Sequence, residues 1–168
     1  TKDSMPTHIK AAKEALLCYI AEKNEASFVD GKMIFLQGSP KLSKTEGGIL
    51  MGRLSGIVAH HVPDYLQANR LPSFEANCTE PWEAKVNAIV EETKDQDLRL
   101  ISGIPSWVQN YFERLLEVTG ASHVKEVFPN FELFVFGGVA FEPYRERFRT
   151  LIAGDVATVA LFAACAGL

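Results

Sequence analysis

Short apolar runs without polar alternation constrain this chain most. Met33-Ile34-Phe35-Leu36, Leu98-Arg99-Leu100-Ile101 and Phe131-Glu132-Leu133-Phe134-Val135-Phe136 are rich in branched and aromatic residues, and each ends at a glycine-containing turn. Strands of this kind are covered on both faces, so helices must lie above and below the sheet they form. Helical periodicity separates them. Ile9, Ala12, Leu16, Tyr19 and Ile20 recur at three- and four-residue steps after Ser4-Met5-Pro6, while Lys10, Lys13, Glu14 and Lys23 fall on the opposite side. Ser4 is a candidate cap there, with Pro6 in the first turn.

Two more helices share this logic. One spans 79–94, with Thr79 as cap, Pro81 in the first turn and Trp82, Val86, Ile89, Val90 and Thr93 as its apolar stripe. The other spans 106–119, with Trp107, Val108, Tyr111, Phe112, Leu115 and Leu116 inward and Gly120 as its stop. A helix near 143–152 leads to a last strand at 156–162, and 54–66 reads as a helix ended near Pro63. Residues 41–53 read as a flexible loop and 69–79 as a connector. The alternation predicts an α/β fold with a largely parallel sheet and flanking helices. Ligands of such sheets sit beyond the carboxyl ends of the strands.

Composition narrows the function. With 168 residues, 47% hydrophobic and 23% charged, the chain has the make-up of one globular domain. A net charge of -4 and no basic cluster interleaved with aromatics argue against nucleic acid as a partner. No apolar run approaches the roughly 20 residues a membrane helix needs, so no membrane partner is expected. Cys18, Cys78 and Cys165 are an odd number at unpatterned spacing, which fits a reducing, cytoplasmic setting.

Few side chains announce chemistry. His60 and His61 point about 100° apart on a helix, and Asp64 stands one turn from His61, so a helix hydrogen bond outweighs a metal site. Glu46-Gly47-Gly48-Ile49-Leu50-Met51-Gly52-Arg53 lacks the spacing of a phosphate loop. Glu91, Glu92, Asp95 and Asp97 read as a solvated helix end, and Trp82 and Trp107 as packing residues. Phe131 to Arg145 is more suggestive. Its strand ends at Gly137-Gly138, and Glu142 and Arg145 beside that pair are able to orient a polar ligand. A tight strand-to-helix turn with no ligand explains the same glycines.

Three segments together resemble a known family. Gly52-Arg53-Leu54-Ser55-Gly56-Ile57-Val58-Ala59-His60-His61-Val62-Pro63, Leu100-Ile101-Ser102-Gly103-Ile104-Pro105-Ser106-Trp107-Val108-Gln109 and Phe134-Val135-Phe136-Gly137-Gly138-Val139-Ala140-Phe141-Glu142-Pro143-Tyr144-Arg145 look like the bacterial branch of the auxin-responsive acyl acid–amido synthetases. That family belongs to the adenylate-forming superfamily. The resemblance implies an ATP- and Mg²⁺-dependent ligase that activates a carboxylic acid as its acyl-adenylate and passes the acyl group to an amine, usually an amino acid. It also implies that residues 1–168 are an incomplete, internal α/β segment of the large adenylation domain, with the phosphate loop and the carboxyl-terminal domain outside the chain.

Residue by residue, the resemblance assigns Gly137, Gly138 and Val139 to the nucleotide pocket, and Ile104, Pro105 and Trp107 to the acyl side. Phe162 matches the aromatic that stacks on adenine, and Cys165 stands at the hydroxyl position of the same motif. Ala166 departs from the pattern, because the family has a metal-binding Glu there and a methyl group cannot coordinate a hard cation. No protein ligand to the metal is therefore assigned, and the isolated chain is expected to be inactive. An acyl- or aryl-CoA ligase of the same superfamily and a non-catalytic nucleotide- or acyl-binding module are the alternatives.

Overall fold

A computed structural model describes residues 4–24, 26–52, 57 and 67–161. The chain opens with α1 (Ser4–Lys23) and a 3₁₀ turn (Ser27–Asp30) that feeds β1 (Lys32–Phe35). A two-residue pair, β2 (Ser43–Lys44) and β3 (Leu50–Met51), precedes β4 (Arg70–Leu71), the short α2 (Phe74–Asn77) and α3 (Trp82–Thr93). Then come β5 (Leu98–Gly103), α4 (Pro105–Thr119), the short α5 (Val124–Val127) and β6 (Leu133–Phe136). A 3₁₀ turn (Glu142–Tyr144), α6 (Arg145–Ile152) and β7 (Ala157–Ala160) complete the described elements.

The main sheet has five strands in the order β4-β1-β5-β6-β7, and every pairing in it is parallel. Both faces are covered, as the unalternating strands require. Successive strand residues point to opposite sides. Ile34, Ile101 and Phe134 face one core together with Val86, Ile89 and Val90 of α3, Val108, Phe112 and Leu115 of α4, and Phe148 and Ile152 of α6. Met33, Leu100, Leu133 and Val135 face the other, where Tyr19 of α1 packs with Leu16 and Ile20 at its margin. Ring contacts tie the first core to the sheet, with Phe134 stacked on Phe148 at 5.0 Å and Phe141 edge-on to Phe148 at 5.2 Å.

The strand order fixes where a ligand belongs. The chain leaving β1 goes to β4 on one side, whereas the chain leaving β5 goes to β6 on the other. β1 and β5 are therefore the neighbours at which the winding reverses, the place where open parallel sheets generally take up ligands.

Five sequence expectations need correction. Residues 41–53 contain an antiparallel hairpin, with Ser43 opposite Met51 and Lys44 opposite Leu50, closed by Gly48 N–H donating to Thr45 O at 2.9 Å. The supposed connector at 69–79 holds β4 and α2, whose Ser73 side chain accepts from the Ala76 N–H. Thr79 does not cap α3: that helix starts after Pro81, and the Thr79 hydroxyl donates to Glu75 O at 3.1 Å. Glu92 is not a solvated end group, since it accepts from the Ser73 N–H at 2.7 Å and from its hydroxyl at 2.8 Å. Ser4 lies inside α1 rather than before it. The expected helix at 54–66, with His60, His61 and Asp64, lies largely outside the described residues. Among the described residues no helix is long and apolar enough to cross a membrane.

Candidate functional site

The carboxyl ends of β5 and β6 meet at one corner. Strand β5 closes on Gly103, and Ile104 then takes extended backbone angles (φ -69°, ψ 132°) that aim Pro105 into the first turn of α4. Proline suits that position because its missing N–H has no intrahelical partner there. The Ile104 carbonyl accepts from the Trp107 and Val108 N–H groups at 2.9 and 3.1 Å, which locks the corner. Beside it, β6 ends at Phe136 and the chain turns through Gly137 and Gly138. A Cβ on Gly138 would lie 3.5 Å from the Ile104 side chain. The structure thus brings Ile104 and Gly138 together from segments far apart in sequence.

The two glycines serve different needs. Gly138 has φ +83°, a left-handed conformation that side chains adopt at a cost. Gly137 is pressed against the end of β7, because a Cβ there would stand 2.6 Å from the Leu161 carbonyl oxygen. Leu161 in turn donates its N–H to Phe136 O at 2.7 Å. Gly137 is explained by strand packing alone, and Gly138, Val139 and Ala140 form the exposed outer wall of the turn. Pro105 is buried. Trp107 is half-buried with its ring 4.9 Å from Trp82, so it joins α4 to α3.

Glu142 and Arg145 follow the corner but bond each other, with Arg145 Nη2 and Nε donating to the carboxylate at 2.6 and 3.1 Å. That hydrogen bond holds the Glu142 carboxyl below its usual value and raises the Arg145 guanidinium above its own. The guanidinium also lies 5.2 Å over the Phe141 ring. Both are surface groups whose first partner is already in place.

Phe162, Cys165 and Ala166 lie outside the described residues. Among the described residues no group of three or more His, Cys, Asp or Glu side chains is arranged to hold a metal ion. Ala166, at the position where the resemblance expects the metal carboxylate, has no oxygen to offer Mg²⁺. The corner presents a backbone surface bordered by Ile104, Gly138 and Val139.

A second concavity escaped the sequence reading. It lies at the carboxyl ends of β1 and β4, encloses about 430 Å³, and is lined by Gln37, Arg70, Ser73, Phe74 and Asn77 among others. Its wall is braced by Lys85 of α3, buried to 5% exposure, whose ammonium donates to Gln37 O and Asn77 O at 2.7 Å each. In the sequence its lining residues read only as a turn after the run 33–36 and as the connector at 69–79. No family profile, curated protein or solved structure matches the chain.

Proposed function

We propose that the chain is a segment of an ATP-dependent acyl-adenylate-forming ligase, which activates a carboxylic acid and transfers it to an amine such as an amino acid. One observation carries the reading. The two described segments that resemble the amido synthetases through residues 100–109 and 134–145 converge at one end of the sheet, with Gly138 against Ile104. In this reading Gly137, Gly138 and Val139 line the nucleotide side, and Ile104, Pro105 and Trp107 back the acyl side. The chain's own contribution is to position. A backbone wall with little side-chain freedom holds the adenine and ribose, so that the acid carboxylate stays in line with the α-phosphate. ATP supplies the leaving group when bound.

The test is carboxylate-dependent exchange of labelled pyrophosphate into ATP, measured on the protein encoded by the complete gene, followed by product analysis with an amino acid or coenzyme A. Amide formation supports the reading. Thioester formation transfers it to the acyl-CoA ligases. Adenine-nucleotide binding without exchange supports a non-catalytic binding module, a reading that Ala166 at the expected metal-carboxylate position favours.

A further inference from the structure

β7 is an outer strand of the sheet and pairs with β6 on one side only. Leu161 donates its N–H to Phe136 O at 2.7 Å, and the register sets Val159 against Val135 and Ala157 against Leu133. Along a strand the N–H and C=O of one residue point to the same side, and the side alternates from residue to residue. Ala157, Val159 and Leu161 therefore turn their backbone groups toward β6. Thr158 and Ala160 turn theirs away from the sheet, where no described strand lies beside them.

This edge lacks the usual protection against another strand. Ala157-Thr158-Val159-Ala160 carries no charge and no proline, and it pairs with β6 without a bulge. The opposite edge, β4, is guarded by its length of two residues. Nor does α1 cover β7. A groove of about 460 Å³ lies between them, lined by Ala15, Cys18, Glu22, Lys23 and Val159 among others. Glu22 and Lys23 bond each other at 3.3 Å on its rim, so an approaching surface meets no surplus of either sign. A copy of the same chain brings the same balanced rim, whereas a strongly charged partner gains nothing there.

Two-fold symmetry supplies the fit. With two β7 strands antiparallel about an axis at Val159, Thr158 of one copy faces Ala160 of the other. These are the residues whose backbone groups point outward, so each facing pair exchanges both of its N–H···O bonds. Val159 then faces its own counterpart in the close position, with Cα atoms about 4.5 Å apart. Its side chain lies on the α1 face of the sheet. A shift of one residue would set outward groups against inward ones, so the register is fixed.

We propose that β7 pairs antiparallel with β7 of a second copy, joining two five-stranded sheets across a two-fold axis at Val159. The contact is small, so the dimer is weak and concentration-dependent. It uses none of the residues of the Ile104–Gly138 corner and stands apart from the ligase reading.

The test is a dilution series of the 168-residue chain, followed by sedimentation velocity and by amide hydrogen exchange. Dimer should form as concentration rises, and the Thr158 and Ala160 amides should then exchange several-fold more slowly than in the dilute chain. The Leu161 amide, already bonded to Phe136, should be protected at both ends of the series. Ala160→Pro removes an outward donor that the single copy does not use, a change that edge strands tolerate. It should weaken dimerisation by roughly ten- to a hundredfold, because both copies lose a bond. A chain that stays monomeric up to about 1 mM overturns the proposal. So does a dimer whose Thr158 and Ala160 amides exchange as fast as in the monomer, which places the contact elsewhere. Protection of both amides at every dilution also overturns it, since the edge is then covered within one copy. Unweakened dimerisation in a folded Ala160→Pro chain does the same. If that variant fails to fold, the exchange comparison on the unaltered chain decides.

Discussion

Replacing Tyr111 by Phe isolates one buried hydrogen bond and gives a signed dependence on pH. Tyr111 is fully buried on α4, and its hydroxyl lies 2.7 Å from Thr93 Oγ1 on α3. Thr93 Oγ1 also lies 2.7 Å from the Ile89 carbonyl, which can only accept. The single threonine proton is therefore committed to Ile89, and Tyr111 must be the donor to Thr93. Tyr111→Phe keeps the ring and removes that donor, which should cost about 1 kcal/mol at neutral pH. For a chain of this size the loss corresponds to a fall in Tm of roughly 2–4 °C. Thr93→Val on top of Tyr111→Phe should cost less than the sum of the single changes, because no acceptor is then left without its donor.

The alkaline limb supplies the second readout. Burial raises the Tyr111 phenol well above its ordinary value of 10.0. Below pH 10 both folded and unfolded chains keep the proton, so the stabilisation is complete. As pH rises beyond that value the unfolded chain releases its proton first, and stability falls. Phe has no such proton, so the gap between wild type and Tyr111→Phe should narrow from pH 9 to pH 11. Urea denaturation followed by circular dichroism at a series of pH values measures both effects. Equal midpoints at pH 7, or parallel alkaline limbs, would refute the reasoning.

The glycine turn and the Glu92 contact give two further tests. Gly137→Ala forces a Cβ to 2.6 Å from the Leu161 carbonyl, and should cost about 1–3 kcal/mol in urea denaturation as the end of β7 is displaced. Gly138→Ala meets ordinary spacing at Ile104 and should cost about 1–2 kcal/mol, through its φ of +83° alone. Glu92→Ala removes the acceptor of both Ser73 donors and should lower stability by about 1–3 kcal/mol. A loss below about 0.5 kcal/mol would return Glu92 to the surface role its sequence suggested.

Legibility in the sequence followed element length. The face of α1, the apolar stripe of α4 and its left-handed stop at Gly120 (φ 71°) carry enough periodic residues to be read directly. The apolar cores of β5 and β6 were likewise visible. β4 was not, because Arg70 and Leu71 have no pattern of their own and become a strand only through pairing with Met33 and Ile34. The β2–β3 hairpin is built from polar and glycine residues that read equally well as a loop. Thr79 resembled a cap, but the chain instead passes through Pro81, which supplies no side-chain cap. At the corner, the sequence suggested both glycines as ligand-facing. The contact that requires Gly137 is with Leu161, a tertiary neighbour no local pattern announces. The cavity at β1 and β4 was hidden for the same reason, since Gln37, Arg70 and Asn77 meet only once the sheet is ordered.

An ATP titration of the ¹⁵N-labelled chain tests the assignment of the corner most directly. Perturbed amides at Gly137, Gly138, Val139 and Ile104, with those of Gln37 and Asn77 unmoved, are expected of a nucleotide-side wall. Saturable ATP shifts confined to the ends of β1 and β4, or spread over α1 with none at Gly138 and Ile104, would contradict it.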